Sequence, residues 1–145
     1  IHRDITPENM ILNEAGILKL CDFGLSRRIT SFAFTDNIGT PLYMAPEVFI
    51  PNRGYTEKCD NYSWALSFWR CLTGETPFGE YTNRSELNLA KQDSTRILPD
   101  IPMILGSSLS PGMNQIIQNC VKFNPEDRPA MEKVVKDLEN LLGYN

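Results

Sequence analysis

The sequence has one histidine, four widely spaced cysteines and no surplus of positive charge. No apolar run approaches the roughly 20 residues that a membrane-spanning helix needs. Cys21, Cys59, Cys71 and Cys120 stand 38, 12 and 49 positions apart, and His2 is remote from three of them. The close ligand pairs of a zinc site are therefore missing. The cysteines are expected to be free thiols, buried or half-buried, as in a reducing compartment. Lys and Arg number 14 against 18 Asp and Glu, a net charge of −4 with a pI near 5.0. Without an overall basic field, nucleic acid is not an expected partner. Internal repeats and low-complexity stretches are absent too.

The 145 residues, 41% of them hydrophobic and 22% charged, can build the core of one ordinary domain without disulfides or metal. Asn9–Leu12 and Ile17–Cys21 are short apolar runs around Asn13-Glu14-Ala15-Gly16, which reads as a hairpin with a Gly-containing turn. Residues 22–47, polar with scattered Phe, carry no period and read as a long loop, the kind of segment that is usually functional or mobile. Asp60 to Thr73 is apolar almost all round (Tyr62, Trp64, Ala65, Leu66, Phe68, Trp69, Leu72) and predicts a buried central helix stopped by Gly74 and Pro77. Ser85–Gln92 predicts a short helix, and 94–112 a surface connection. Ser110 and Pro111 read as the cap and first turn of a helix with Met113, Ile116, Ile117, Cys120 and Val121 on one face. Pro129 opens a last helix whose apolar face carries Met131, Val134, Val135, Leu138, Leu141 and Leu142, with Gly143 ending it. The fold class expected is α+β, mainly helical with one small hairpin.

The chemistry-bearing residues come in a fixed order. His2-Arg3-Asp4-Ile5-Thr6-Pro7-Glu8-Asn9 fits H-R-D-x-x-x-x-N, and Asp22-Phe23-Gly24 begins 13 positions after Asn9. Gly39-Thr40-Pro41-Leu42-Tyr43-Met44-Ala45-Pro46-Glu47 follows, then Asp60 at the head of the central helix and Arg128 before the last one. Each tripeptide alone is common; the set in register is not. From residue 1 to the last helix the chain resembles the C-terminal lobe of a eukaryotic-type protein kinase. Gly39-Thr40-Pro41 is similar to the substrate-docking loop of the serine/threonine type. The Trp-containing helix, the Tyr43-Met44 loop and Asn124-Pro125-Glu126-Asp127-Arg128-Pro129 most resemble the tyrosine-kinase-like group.

The resemblance implies a partial kinase domain over residues 1–145, with ATP and Mg²⁺ as cofactors and protein substrates as partners. Phosphoryl transfer depends on positioning and charge neutralisation. Asp4 is then the proton acceptor, with Arg3, Thr6 and Thr40 around it. Asn9 and Asp22 are the magnesium ligands, an amide oxygen and a carboxylate being suitably hard donors; taken singly, Asn9 also reads as a turn residue and Asp22 as a strand-end cap. Ile11 would lie below the adenine and Cys21 would line the back of the nucleotide site; core packing accounts for both equally well. His2, Phe23 and Gly24 take structural places, with His2 and Phe23 in the apolar stack between lobes. Glu47 and Arg128 form an ion pair, and Asp60 holds the backbone of the catalytic loop. Arg3 either pairs with a phosphorylated residue in the 22–47 loop, where Thr30, Ser31 and Thr35 are the candidates (with Arg27 or Arg28 helping), or is a surface arginine.

Some positions depart from the pattern. Thr6 stands where serine/threonine kinases usually carry a lysine touching the γ-phosphate, and it reads as a subgroup mark. Arg70 replaces a usual glutamate, so no substrate preference carries over, and Ser67 a usual apolar residue beneath the adenine. Nothing resembles a G-x-G-x-x-G loop, a β3 lysine or its glutamate partner, so the residues are expected to be a piece of a longer chain, without its N-terminal lobe and inactive alone. The place expected is the cytoplasm, or the cytoplasmic part of a longer membrane protein. The alternatives are a pseudokinase that binds nucleotide or protein without phosphotransfer, and a stand-alone helical interaction domain. Oligomeric state is left open.

Overall fold

A computed structural model describes residues 1–28, 39–50, 54–93, 95, 98–101 and 109–144. The candidate phosphosites Thr30, Ser31 and Thr35 lie outside them. Among the described residues four α-helices run in chain order: α1 (Lys58–Thr73), α2 (Arg84–Gln92), α3 (Leu109–Cys120) and α4 (Met131–Leu142). The strands β1 (Met10–Leu12) and β2 (Leu18–Leu20) pair antiparallel with Met10 opposite Leu20 and Leu12 opposite Leu18. Asn13 shapes the turn, its Oδ1 accepting from the amides of Ala15 and Ile17, while Gly16 adopts φ 73°. The hairpin leaves Ile11, Leu12, Ile17 and Leu18 exposed. One core surrounds α1: Ala65 and Leu66 are fully enclosed, Tyr62 and Trp69 nearly so, and α3 packs on both α1 and α4.

α1 starts at Lys58, two residues ahead of the apolar run. Its first turn is tied down independently, since Cys59 is buried and Lys58 Nζ donates to the Arg128 carbonyl at 2.8 Å. α2 starts at Arg84, where Asn83 Oδ1 accepts from the Glu86 amide at 2.8 Å and caps it. Ser110 lies inside α3, because the helix begins at Leu109; Pro111 is tolerated there since first-turn amides lack intrahelical partners anyway. α4 opens at Met131 rather than Pro129. The carbonyls of Arg128 and Pro129 are held by Lys58 and Asn61 of α1, and Ala130 stays extended.

Three expectations about burial need correction. Val135 and Leu142 are exposed, because α4 meets α3 along a narrow stripe centred on Val134 and flanked by Met131, Leu138 and Leu141. The 22–47 stretch, expected to be a long loop, enters the core at its end, where Tyr43 to Glu47 are buried and Pro46–Phe49 forms a short 3₁₀ turn. Residues 98–101 of the 94–112 connection are anchored, Leu98 and Ile101 being buried. There Trp69 Nε1 donates to the Pro99 carbonyl and Gln118 to that of Leu98. All four cysteines are free thiols, but Cys71 is exposed. Burial pushes the Cys120 thiol up to about 11 and raises Cys59 well above its usual value. Neither is a thiolate near neutral pH.

Candidate active site

The site is assembled on the loop His2–Asn9, and α1 fixes its backbone. Asp60, in the first turn of α1, accepts from the His2 amide through Oδ2 (2.7 Å) and from the Arg3 amide through Oδ1 (2.9 Å). Ser67, two turns further along and buried, shares its one hydroxyl hydrogen between the Ile5 carbonyl at 3.0 Å and the Ser63 carbonyl at 2.8 Å. One face of α1 thus clamps the backbone on both sides of Asp4. Arg3 takes a left-handed φ of 72°. Its guanidinium is not a free surface group: Nε donates to the Leu25 carbonyl and Nη1 to the Tyr55 hydroxyl.

Three hydrogen bonds from two neighbours orient the Asp4 carboxylate. Oδ1 accepts from the Thr40 amide at 2.8 Å and the Thr40 hydroxyl at 2.9 Å, and Oδ2 accepts from Asn9 Nδ2 at 3.2 Å. Gly39 makes the Thr40 approach possible. Its φ is 115°, and a β-carbon there would stand 2.6 Å from the Arg3 carbonyl oxygen, so only glycine fits. Asn9 also donates Nδ2 to the Asp4 carbonyl at 2.9 Å. Both amide hydrogens thus serve Asp4, and the amide oxygen is turned away from it.

Asp22 is tied to Asn9 through its neighbour. The Cys21 amide donates to the Asn9 carbonyl at 2.9 Å, and the Cys21 thiol reaches the same oxygen at 3.3 Å. Asp22 takes φ 57°, with Oδ1 accepting from the Gly24 amide at 3.2 Å. A β-carbon on residue 24 would crowd that oxygen at 3.1 Å, which explains the glycine. His2 bridges the two segments: Nε2 donates to the Cys21 carbonyl at 3.0 Å and Nδ1 accepts from the Asp4 amide at 3.4 Å. With both nitrogens engaged and its ring edge-on to Phe23 at 4.8 Å, His2 sits in the framework.

The remaining candidates divide. Ile11 is 55% exposed, so core packing does not account for it; Cys21 is half-buried on the Asn9 carbonyl. Thr6 is only 2% exposed. Glu47 and Arg128 meet in a buried bidentate pair of 2.7 and 2.9 Å. Arg70 donates to the Thr76 hydroxyl at 2.6 Å.

The donor set suits one hard divalent cation shared with a phosphate. Asn9 offers an amide oxygen and Asp22 a carboxylate, and magnesium takes few protein oxygens while keeping water and phosphate oxygens. Among the described residues no cluster of three His, Cys, Asp or Glu could hold a metal by itself.

Two features escaped the sequence reading. Ser67 turned out to anchor the Ile5 carbonyl. Lys91 of α2 is 4% exposed, with Nζ donating to three carbonyls of the segment after Thr40. Burial pushes its pKa well below the usual lysine value, partly offset by the Glu47 carboxylate. The signal available was its i,i+4 spacing from Leu87, which sets both on one helix face.

The protein kinase domain family model matches residues 1–138. The chain is 38% identical to a mitogen-activated protein kinase kinase kinase 7-like protein of Drosophila melanogaster, covering 99% of this chain and 35% of the relative. It is 36% identical to mitogen-activated protein kinase kinase kinase 7 of Homo sapiens, covering 99% of this chain and 23% of that one. A probable serine/threonine-protein kinase of Dictyostelium discoideum is 34% identical, over 97% of this chain and 10% of its own length. The chain thus spans between 10% and 35% of the length of these curated relatives. With ordered motifs, a matching family model and serine/threonine kinases as relatives, the chain belongs to the protein kinase domain family.

Proposed function

We propose that these residues are the C-terminal lobe of a serine/threonine protein kinase that transfers the γ-phosphate of ATP to protein hydroxyls. The observation that carries this reading is the carboxylate of Asp4, held on one oxygen by Thr40 and on the other by Asn9. A carboxylate fixed on both sides can meet an incoming hydroxyl without reorganising. The serine or threonine oxygen bonds to the γ-phosphorus, its proton passes to Asp4, and the bond from phosphorus to the bridging oxygen of the departing ADP breaks. Magnesium, when bound, neutralises phosphate charge; Asn9 and Asp22 would hold it.

Thr6 packs within the loop and supplies no cation to the phosphate. Charge neutralisation then falls on magnesium and on groups outside these residues. The 145 residues contain no G-x-G-x-x-G and span 10% to 35% of their relatives' length, and we assign the phosphate-covering loop and its lysine to the rest of a longer polypeptide, in the cytoplasm or as the cytoplasmic part of a membrane protein. The chain by itself is inactive on this reading. The buried Thr6 is also what a scaffold that binds nucleotide without transfer would show.

The test is to incubate the complete kinase polypeptide, and these residues alone, with Mg-ATP and peptides offering Ser, Thr or Tyr. Phosphoserine and phosphothreonine from the complete polypeptide, and nothing from the segment alone, are expected. Nucleotide binding with no acceptor modified would replace this reading with the scaffold one.

A further inference from the structure

α2 exposes a leucine and buries a lysine. Leu89 is 70% exposed while Lys91, two residues on, is 4% exposed. A buried ammonium is costly and persists where its surroundings answer all of its hydrogens. Those of Lys91 do: Nζ donates to the carbonyls of Pro41 at 2.8 Å, Leu42 at 2.7 Å and Met44 at 2.7 Å. Three acceptors match the three N–H groups of a charged lysine, where a neutral amine would fail one of them. Aromatic rings line its other sides, with the centroids of Phe78, Tyr62 and Phe49 at 5.0, 5.5 and 5.6 Å. Phe78 is held at φ 57°, a conformation a bulky residue seldom adopts, and its ring is the nearest of the three. Among the described residues no carboxylate is within ion-pair distance of Lys91; Glu47 is engaged by Arg128. Carbonyl dipoles and ring faces hold this charge.

The three carbonyls belong to the segment that directly follows Thr40, whose amide and hydroxyl hold Asp4. One cation therefore fixes the curvature of residues 41–44 from below, and does so from a different helix. We propose that Lys91 is a positioning residue that locks the Thr40–Met44 loop into the shape that receives the protein substrate beside the phosphoacceptor hydroxyl. This inference rests on the phosphotransfer reading of the site. It deepens that reading by placing a determinant of substrate docking on α2, beneath the loop. Lys91 acts through the loop that receives the protein substrate and leaves the nucleotide side untouched, since its hydrogen bonds go to residues 41, 42 and 44 and not to Asn9 or Asp22.

The test is Lys91→Met in the complete kinase polypeptide, with folding checked by circular dichroism. KM for a protein substrate is expected to rise about tenfold or more, with kcat and nucleotide affinity changing by less than about threefold. If the methionine variant does not fold, Lys91→Gln carries the test, because its amide keeps one donor without a buried charge; it is expected to raise KM by a smaller factor. An unchanged KM in a folded variant overturns the proposal, as does a parallel loss of nucleotide affinity, which would mark general loosening. Amide hydrogen exchange at Leu42–Met44 is the readout that separates this inference from the functional one. If the wild type transfers no phosphate, the kinase reading fails, while faster exchange of these amides in the variant still supports the lock and unchanged exchange removes it.

Discussion

Asp4→Asn is expected to lower kcat by about 10²–10⁴-fold, the usual contribution of a positioned general base, while nucleotide affinity changes little. The substitution keeps the volume of the side chain and an acceptor oxygen toward the Thr40 amide and hydroxyl, so that half of the arrangement survives. The other half inverts. Where Oδ2 now accepts from Asn9 Nδ2 at 3.2 Å, the new amide nitrogen would face another donor. The variant thus loses the proposed proton acceptor and pushes on Asn9, the residue proposed for magnesium. Single-turnover transfer measured beside nucleotide binding separates the two effects. A kcat within about threefold of wild type would remove Asp4 from the chemistry. If nucleotide affinity fell as far as kcat, the loss would lie in the metal site.

The second large effect concerns the fold beneath the site. Arg128 uses all its donors: Nε on the Lys122 carbonyl, Nη1 on Glu47 and the Lys58 carbonyl, Nη2 on Glu47 and the Phe123 carbonyl. Its guanidinium also lies over the Tyr62 ring at 5.0 Å. Glu47 and Arg128 are 1% and 2% exposed, so water cannot replace a missing partner. Arg128→Met strands a buried carboxylate, and breaking such a pair costs about 3–5 kcal/mol. Against a total of about 5–15 kcal/mol that is severe, and a Tm roughly 10–20 °C lower is expected. The double variant Glu47→Met with Arg128→Met removes both charges and is expected to recover part of the loss. Thermal unfolding of the wild type, each single methionine variant and the double variant checks this. A single variant within about 2 °C of wild type would show that the pair contributes little.

The legibility of this fold in its sequence was uneven, for physical reasons. α1 and α3 announce themselves because both bury most of their apolar residues, so hydrophobic spacing and burial coincide. In α4 they part, and Val135 and Leu142 are apolar yet exposed. The motif residues were legible because each has a contact that few residue types can make: Gly39 against the Arg3 carbonyl, Asp60 with two oxygens for two amides, Arg128 with its fork around Glu47. Lys91 and Ser67 were not. Their partners are main-chain carbonyls, which carry no residue identity, and the partner segments lie far off in sequence. A buried lysine on a short polar helix looks like any solvated charge until the fold brings Pro41, Leu42 and Met44 over it. Arg3 was half legible, its place beside Asp4 being clear while its engagement with Leu25 and Tyr55 depended on tertiary packing.

The central claim is that Asn9, Asp22 and Asp4 form one magnesium-dependent phosphotransfer site. Asp22 is its most exposed element and shares no hydrogen bond with Asp4 among the described contacts, so it can be altered without disturbing the held base. The direct measurement is the magnesium dependence of γ-phosphate transfer to a serine or threonine hydroxyl, in the complete polypeptide and its Asp22→Asn variant. The wild type is expected to show saturable dependence on Mg²⁺. The variant is expected to need at least about tenfold more metal or to lose transfer altogether. The same magnesium curve in both proteins, with transfer intact, would contradict the account.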